Sequence, residues 1–239
     1  MIAMKKNELA GMIDQTLLSQ TATEKQIKDF CITAGQYGFA SVCVNPVHVK
    51  TAYSILSETE TKVCTVIDFP LGAGGVESKK SQARIVVADG ARELDFVNDL
   101  SLVKAHEWNK LEQELSEIQQ YVNSLSDSIN GEKIVTKLIL ETCLLNDEEI
   151  VQSCLCAKNA GFDFVKTSTG FAIVKGEGGV LLPNGATVSA VKLMRQTVGP
   201  DMGVKASGGI HSTQEALELI ECGASRIGAS AGVQIVDGL

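Results

Sequence analysis

Two lysines in this sequence each follow a short apolar segment and precede a turn rich in small residues. Lys166 lies in Val165-Lys-Thr-Ser-Thr-Gly170, and Lys205 lies in Val204-Lys-Ala-Ser-Gly-Gly209. An ammonium group at the end of a buried strand is poorly solvated, and two that meet in space should lower each other's pKa. Because a neutral lysine amine attacks carbonyl carbon, the pair predicts nucleophilic chemistry on a carbonyl compound.

Short apolar runs that alternate with amphipathic segments supply the elements that position these lysines. This alternation predicts a single parallel (β/α)8 TIM barrel over residues 1–239, a length close to the ~250 residues typical of that fold. The alternative, an open doubly wound sheet, usually carries Gly-x-Gly-x-x-Gly after its first strand, and the sequence has none there. The predicted strands cover residues 12–13, 39–44, 62–67, 93–97, 134–140, 162–165, 202–206 and 225–229.

Local patterns predict where helices begin and where the chain is irregular. Thr21, Asn146 and Ser212 are each followed three residues later by Glu, as at capped helix starts. One long helix is expected over about residues 103–125, between the fourth and fifth strands. The segment 171–186 is rich in glycine and should be an irregular loop, either a lid over a site or a surface insertion.

The alternation of side chains along a strand places several charges on the inner face of the barrel. Asp95, Lys137, Lys166 and Lys205 all fall on inward-facing positions, and so does Cys43 on the second strand. Isolated buried charges are costly, so these groups must pair or lose their charge. Asp95 can pair with one lysine, which leaves a second lysine in positive surroundings. The alternative is that the lysines extend to the barrel mouth and only form ion pairs.

Three glycine-containing turns at the ends of the last three strands predict a phosphate site. They are Ser168-Thr-Gly170, Ser207-Gly-Gly-Ile210 and Gly228-Ala-Ser230. Barrel enzymes often bind phosphate through backbone N–H groups in such loops. Asp14 and Thr16 add a carboxylate and a hydroxyl at the end of the first strand.

Composition excludes several other classes of function. The net charge of −8 argues against nucleic acid or an anionic membrane as a partner. No apolar run approaches the ~18 residues of a membrane span, and the first ten residues do not resemble a signal peptide. Seven cysteines without Cys-x-x-Cys and three histidines without His-x-x-x-His predict reduced thiols, a cytoplasmic location and no metal site.

The chain resembles the deoxyribose-phosphate aldolase family over about residues 12–236. The residues of the motifs and the order in which the motifs occur carry this resemblance. The two lysine segments are the most specific of them. The matching segments are Ile13-Asp-Gln-Thr-Leu-Leu18, Ala40-Ser-Val-Cys-Val-Asn-Pro46, Cys64-Thr-Val-Ile-Asp-Phe-Pro-Leu-Gly72, Glu93-Leu-Asp-Phe-Val97, Lys137-Leu-Ile-Leu-Glu-Thr-Cys-Leu-Leu145, Asp163-Phe-Val-Lys-Thr-Ser-Thr-Gly-Phe171, Gly203-Val-Lys-Ala-Ser-Gly-Gly-Ile210 and Ala224-Ser-Arg-Ile-Gly-Ala-Ser230.

The resemblance implies a class I aldolase that reversibly cleaves 2-deoxyribose 5-phosphate to glyceraldehyde 3-phosphate and acetaldehyde. By motif, Lys166 forms the Schiff base and Lys205 lowers its pKa. Asp95 moves protons through a water, and Lys137 lies beside this relay. No cofactor or metal is implied, and a homodimer is possible. The implied substrate-binding residues are Asp14, Thr16, Cys43, Thr169, Gly170, Gly208, Gly209, Gly228 and Ser230.

Three charged or titratable residues depart from the family pattern near the expected site. Asp68, Asp99 and His211 alter its charge, while the segment 171–186 is longer than expected. Asp68 either faces the site or is a solvated loop residue. Cys43 either reacts with aldehydes or is an inert buried thiol. The departures leave two alternatives open: an aldolase with a different aldehyde or sugar-phosphate partner, and a non-catalytic sugar-phosphate-binding barrel.

Overall fold

Eight parallel strands close into a barrel in the computed structural model, which describes residues 4–239. The first strand pairs with both the second and the last, so the sheet has no free edge. This confirms the predicted (β/α)8 barrel. The barrel strands are β1 (Ile13–Leu17), β2 (Ser41–Val44), β3 (Lys62–Ile67), β4 (Glu93–Val97), β5 (Val135–Ile139), β6 (Phe164–Lys166), β9 (Gly203–Ser207) and β10 (Arg226–Ala229). The short strands β7 (Val174–Lys175) and β8 (Leu181–Leu182) form a separate hairpin between β6 and β9.

Helices follow the barrel strands along the chain and cover the outside of the barrel. None of the helices within residues 4–239 combines the length and apolar character that a membrane crossing requires. The helices are α1 (Lys6–Ala10), α2 (Glu24–Tyr37), α3 (Val49–Leu56), α4 (Gly75–Ala88), α5 (Leu100–Lys104), α6 (Trp108–Asp127), α7 (Asp147–Ala160), α8 (Val188–Val198), α9 (Thr213–Glu221) and α10 (Gly232–Asp237), with short 3-10 turns at Pro46–His48, Thr142–Leu144 and Glu177–Gly179.

Two of the three predicted helix caps are confirmed, and one is wrong. Asn146 and Ser212 cap α7 and α9, each with a Glu three residues later that completes a capping box. At α2, however, the cap is Thr23 rather than Thr21. Gln26 N–H donates to the Thr23 hydroxyl and the Gln26 side chain accepts from Thr23 N–H, so glutamine serves where the prediction required Glu.

The prediction of one long helix over about residues 103–125 is wrong, because the chain forms two helices there. Helix α5 ends at Lys104 and α6 begins at Trp108. Between them His106 adopts the left-handed conformation, with φ +56°, which an α-helix cannot accommodate. The His106 ring stacks on the Trp108 ring with centroids 5.2 Å apart, so an aromatic contact accompanies the break between the two helices.

The segment 171–186 is not irregular throughout, since it contains the β7–β8 hairpin. Both ends of the segment are anchored beside the barrel mouth. Asn184 Nδ2 donates to the carbonyl of Ala172 at 2.7 Å and to that of Gly170 at 3.2 Å, and Ala186 N–H donates to the Gly208 carbonyl at 3.1 Å. The hairpin strand Leu181–Leu182 is exposed. The segment therefore bridges two of the predicted phosphate turns.

Inner and outer faces of the barrel have opposite chemical character, as the strand alternation predicts. Outward residues such as Leu94, Phe96 and Val165 are fully buried beneath the helices. Strand pairing places Asp95 opposite Lys137. It likewise places Lys166 opposite Lys205, and all four side chains are buried. The polar interior is thus set by register, and the apolar core lies between strands and helices.

An aromatic ring lies in the barrel interior, at the end away from the carboxyl ends of the strands. Phe164 precedes Lys166 by two residues on β6 and faces Gly203 on β9. The Arg226 guanidinium lies 5.4 Å from the centroid of the Phe164 ring. A Cβ on Gly203 would lie 2.1 Å from Phe164 Cδ1, far inside van der Waals contact. Glycine is required here by close approach.

We predict that Gly203→Ala lowers the free energy of unfolding by about 1–3 kcal/mol, since the added methyl group must displace the Phe164 ring. Urea unfolding followed by circular dichroism measures the change. Gly11→Ala is a matched control, because Gly11 has an ordinary helical φ of −64° and an added Cβ would come no nearer than 3.4 Å to another atom, an ordinary van der Waals contact. Equal stability of the Gly203→Ala and wild-type proteins would contradict the predicted clash.

Candidate active site

A single buried carboxylate gathers the three inward lysines. Asp95 Oδ1 accepts from Lys137 Nζ at 2.9 Å, and Asp95 Oδ2 accepts from both Lys166 Nζ and Lys205 Nζ at 2.8 Å. The four residues predicted for catalysis therefore converge on one point. The expectation that Asp95 pairs with only one lysine is wrong, because its two oxygens offer enough acceptor positions for three ammonium groups.

A second layer of charges lies beneath this cluster, toward the other end of the barrel. Asp14 Oδ2 is 2.5 Å from Lys205 Nζ, and Asp14 Oδ1 is 2.5 Å from an Arg226 nitrogen. Glu93 Oε2 is 2.5 Å from Lys137 Nζ. Each lysine below the mouth therefore has at least two carboxylate partners, which compensates the loss of hydration on burial.

These partners determine the protonation states of the lower lysines. Burial by itself lowers the pKa of Lys205, but the charges of Asp14 and Asp95 outweigh burial and raise that pKa above its ordinary value. Burial likewise opposes the charged form of Lys137, yet Asp95 leads the groups that raise its pKa. The expectation that the paired lysines lower each other's pKa is therefore wrong for Lys205. It stays protonated because its carboxylate neighbours outweigh its cationic ones.

Asp95 stays ionised for the reciprocal reason. Burial raises the pKa of a carboxyl group, but the charges of Lys137, Lys166 and Lys205 outweigh burial and hold the pKa of Asp95 well below its usual range. Cys64 also touches this carboxylate, with Sγ 3.3 Å from Asp95 Oδ1.

Of the three clustered lysines, only Lys166 reaches the open cavity at the carboxyl ends of the strands. Its side chain is 4% exposed, whereas those of Lys137 and Lys205 are completely buried. The cavity has a volume of about 310 Å³. The predicted residues among its lining are Thr16, Lys166, Thr169, Gly208, Gly209, His211, Gly228 and Ser230.

The predicted phosphate turns border this cavity together. Gly208 and Gly209 both have positive φ, at 86° and 73°, so glycine is favoured at each. The turn after β10 is held by Gln15, whose side chain donates to the Ser230 carbonyl at 3.2 Å and accepts from Gly232 N–H at 2.9 Å. Gly170 lies between two cavity-lining residues, Thr169 and Phe171.

Two residues predicted to touch the substrate lie below the cavity. Asp14 is fully buried in the lower charge layer, not at the mouth, because it precedes Thr16 by one inward position on β1. Cys43 is also fully buried, packed with Leu18, Cys64 and Val66. A hydrogen bond with Cys64 lowers the pKa of the Cys43 thiol, although burial opposes this shift.

The three departures from the family pattern occupy different positions. Asp68 turns away from the cavity and accepts from Gly74 N–H at 2.8 Å. Asp99 caps α5 by accepting from Ser101 N–H and Leu102 N–H. His211 lines the cavity and is exposed. Only His211 therefore bears directly on what the cavity can bind.

The buried cluster also brings together atoms that could ligate a metal. Ligand atoms of Cys43, Cys64 and Asp95 lie within 4.8 Å of one another, as do those of Asp14, Cys64 and Glu93. The carboxylates in both groups already contact lysine or arginine nitrogens at 2.5–2.9 Å. Cations of the protein itself thus occupy the positions that a metal would need.

Four residues of the site were not among the sequence-based candidates. Glu93 and Arg226 balance the lower layer, Cys64 touches Asp95, and Glu141 binds the turn after Lys166. Strand alternation applied to β3 and β10 could have found Cys64 and Arg226. Glu141 lies just beyond the end of β5. Strand alternation places it on the same face as Lys137, but it did not indicate the contact with the turn after Lys166.

Comparisons with known proteins agree with this geometry. No protein-family model matches the chain. A deoxyribose-phosphate aldolase of Caldanaerobacter subterraneus subsp. tengcongensis is 50% identical over 238 residues, which cover 98% of this chain and 96% of that protein. One from Clostridium perfringens is 45% identical over 235 residues, with coverage of 98% and 97%.

Solved structures give the same answer. A deoxyribose phosphate aldolase from Aeropyrum pernix, described as having a unique tetrameric structure, superposes with a TM-score of 0.81 at 33% identity, covering 98% of this chain and 91% of that one. The structure of QR15, described as an aldolase, gives 0.84 at 39% identity, covering 96% and 94%. By its sequence and its fold the chain belongs to the deoxyribose-phosphate aldolase family, and it is an aldolase, a lyase.

Proposed function

We propose that this aldolase reversibly cleaves 2-deoxyribose 5-phosphate to glyceraldehyde 3-phosphate and acetaldehyde through a Schiff base on Lys166. The observation that carries the proposal is the position of Lys166 in the cluster. Its Nζ contacts Asp95, and it alone of the three clustered lysines lines the cavity. A carbonyl compound in that cavity can reach only this amine.

The chemistry needs an acceptor for electrons and a base. Cleavage of the bond between C2 and C3 leaves an electron pair on the acetaldehyde fragment, which a protonated imine on Lys166 accepts as an enamine. The hydroxyl on C3 loses its proton and becomes the aldehyde of the other fragment. Asp95, which is ionised and 2.8 Å from Lys166 Nζ, is the group that we assign to proton transfer, through a water.

Lys205 and Lys137 are assigned electrostatic roles. Both stay protonated, and both share Asp95 with Lys166. Asp14, Glu93 and Asp95 together balance the positive charges of Lys137, Lys205 and Arg226. A proton on Lys166 would add a positive charge that no further carboxylate in these two layers balances, so the fixed charges favour its neutral, nucleophilic form. In this role Lys205 acts as a permanent cation.

We assign the phosphate group to the turns at the ends of β6, β9 and β10. Gly208, Gly209, Gly228 and Ser230 line the cavity together with Thr16. Backbone N–H groups in such turns bind phosphate in other barrels. Thr16 would then contact the sugar chain. A role in deoxyribose catabolism and assembly as a homodimer are part of the same proposal.

One observation favours a second candidate, an aldolase with a different aldehyde or sugar-phosphate partner. Among the described residues that line the cavity, Lys166 is the only lysine or arginine, and His211 is the only other side chain that can carry a positive charge. A phosphate bound there would rely on backbone donors. The preference for phosphate therefore requires a direct measurement.

We predict that acetaldehyde with borohydride adds one ethyl group to Lys166, because reduction makes the imine permanent. Mass spectrometry of the peptide containing Lys166 measures the product. Lys166→Met should abolish both labelling and turnover, while Lys175→Met, a change at an exposed lysine on the nearby hairpin, should leave both intact. An unlabelled wild-type enzyme would contradict the Schiff-base proposal.

We predict that kcat/KM for 2-deoxyribose 5-phosphate exceeds that for 2-deoxyribose by about a hundredfold or more, equivalent to about 2.7 kcal/mol of transition-state binding. A coupled assay for glyceraldehyde 3-phosphate and a carbonyl assay for glyceraldehyde give the two values. A difference smaller than a few-fold would favour the second candidate.

We predict that Lys205→Met moves the pH dependence of borohydride trapping upward by about one pH unit, since removal of a nearby fixed cation makes protonation of Lys166 more favourable. Trapping rates from pH 5 to 9 measure the shift. Lys205→Arg, which keeps the charge, is the control. Because Asp14 loses a partner in the Met variant, circular dichroism should establish that it is folded. An unchanged pH profile in a folded Lys205→Met protein would refute the role.

A further inference from the structure

Glu141 stands out as a buried carboxylate that the proposed mechanism does not use. It lies two residues after the end of β5 and is 3% exposed. Its backbone is in the left-handed region, with φ 60° and ψ 57°. A residue other than glycine in this conformation is uncommon and is maintained only where surrounding contacts determine it. The contacts of the Glu141 side chain should therefore show why this backbone conformation is needed.

The contacts of Glu141 lead to the turn after the catalytic lysine. Its Oε1 accepts from Thr169 N–H at 3.1 Å, and its Oε2 accepts from the Thr169 hydroxyl. The same hydroxyl oxygen accepts from Phe171 N–H at 3.0 Å. Both carboxylate oxygens are thus engaged by one residue, and that residue fixes the next two.

These contacts extend the pairing of two barrel strands beyond their ends. Leu140 N–H donates to the Lys166 carbonyl at 2.8 Å, and Thr142 N–H donates to the Thr167 carbonyl at 2.9 Å. Between these bonds the left-handed backbone directs the Glu141 side chain across to Thr169. The turn is therefore held on one side by a carboxylate rather than by further strand pairing.

The same turn faces the proposed phosphate loop on its other side. Gly170 has φ +81°, and its Cα lies 3.7 Å from where a Cβ on Gly208 would be. A movement of the turn would thus change the spacing between Gly170 and Gly208. Because the single proton of the Thr169 hydroxyl is donated to Glu141, that hydroxyl can accept from a ligand but cannot donate to it.

We propose that Glu141 is a positioning residue that holds the Thr169–Gly170 turn in the conformation that binds a phosphorylated substrate. The inference rests on the proposed function, because it assigns to Glu141 the preference for phosphate over an unphosphorylated sugar. Glu141 acts through Thr169 and leaves the chemistry at Lys166 unaffected.

Glu141→Gln is the sharpest test, because the side chain keeps its size but only one of its two acceptor atoms. Thr169 presents two donors, so one of them loses its partner. The ratio of kcat/KM for 2-deoxyribose 5-phosphate to that for 2-deoxyribose should fall about tenfold, mainly through KM, as the loss of a charge-assisted hydrogen bond can produce. The value for 2-deoxyribose should change less than about twofold.

Two further variants separate positioning from general damage. Glu149→Gln removes another buried carboxylate, one that contacts Lys104 and caps α7, and should leave the ratio unchanged. Thr169→Val removes the hydroxyl that Glu141 binds. If Glu141 acts through Thr169, adding Glu141→Gln to Thr169→Val should lower the ratio by less than Glu141→Gln does in the wild type. Glu141→Asp, which keeps both oxygens, should recover part of the ratio.

The outcomes distinguish this inference from the proposed function. A wild-type enzyme without a phosphate preference would overturn both. A wild-type preference that Glu141→Gln leaves intact would overturn the inference alone, as would equal losses with both substrates. Borohydride trapping at Lys166 should proceed at the wild-type rate in Glu141→Gln. A large loss of trapping in a folded variant would show that Glu141 acts on the chemistry, contrary to the inference.

Discussion

The structure depends on one buried carboxylate that three lysines share. Asp95 contacts Lys137, Lys166 and Lys205 within 2.9 Å, and the side chains of Lys137 and Lys205 are completely buried. Charges buried this deeply are tolerable only when every partner is present. The strands β4, β5, β6 and β9 must therefore keep their mutual register, since a slip of one residue would turn a charge toward the apolar layer.

The surroundings of the shared carboxylate also make the three lysines chemically different, although their side chains are identical. Lys205 and Lys137 each have a further carboxylate beneath them, Asp14 and Glu93 respectively, and these partners stabilise the ammonium form. Lys166 has Asp95 as its ion-pair partner and lies where the charge layer meets the cavity. Depth along the barrel axis thus decides which amine is a fixed cation and which is available to a substrate.

Strand alternation predicted the inward residues from sequence but could not predict their depth. Asp14 and Thr16 share a face of β1, yet one is buried in the charge layer and the other lines the cavity. The sign of the Lys205 pKa shift also depends on depth, because it follows from the distance to Asp14. Alternation reports direction only, whereas depth depends on the stagger between strands, which a single sequence does not specify.

The conformations of the turns at the strand ends could not be predicted from the sequence, because the contacts that fix them join residues far apart in the chain. Gln15 fixes the turn of Ser230, and Glu141 fixes that of Thr169, across separations of 215 and 28 residues. Each uses a side chain to replace backbone pairing where a strand has ended. The backbone N–H groups of a turn bind an anion only when they are held in place, since ordering them upon binding would reduce affinity. In a cavity lined by few cations, the proposed binding of a phosphate by backbone N–H groups would depend on that prior ordering.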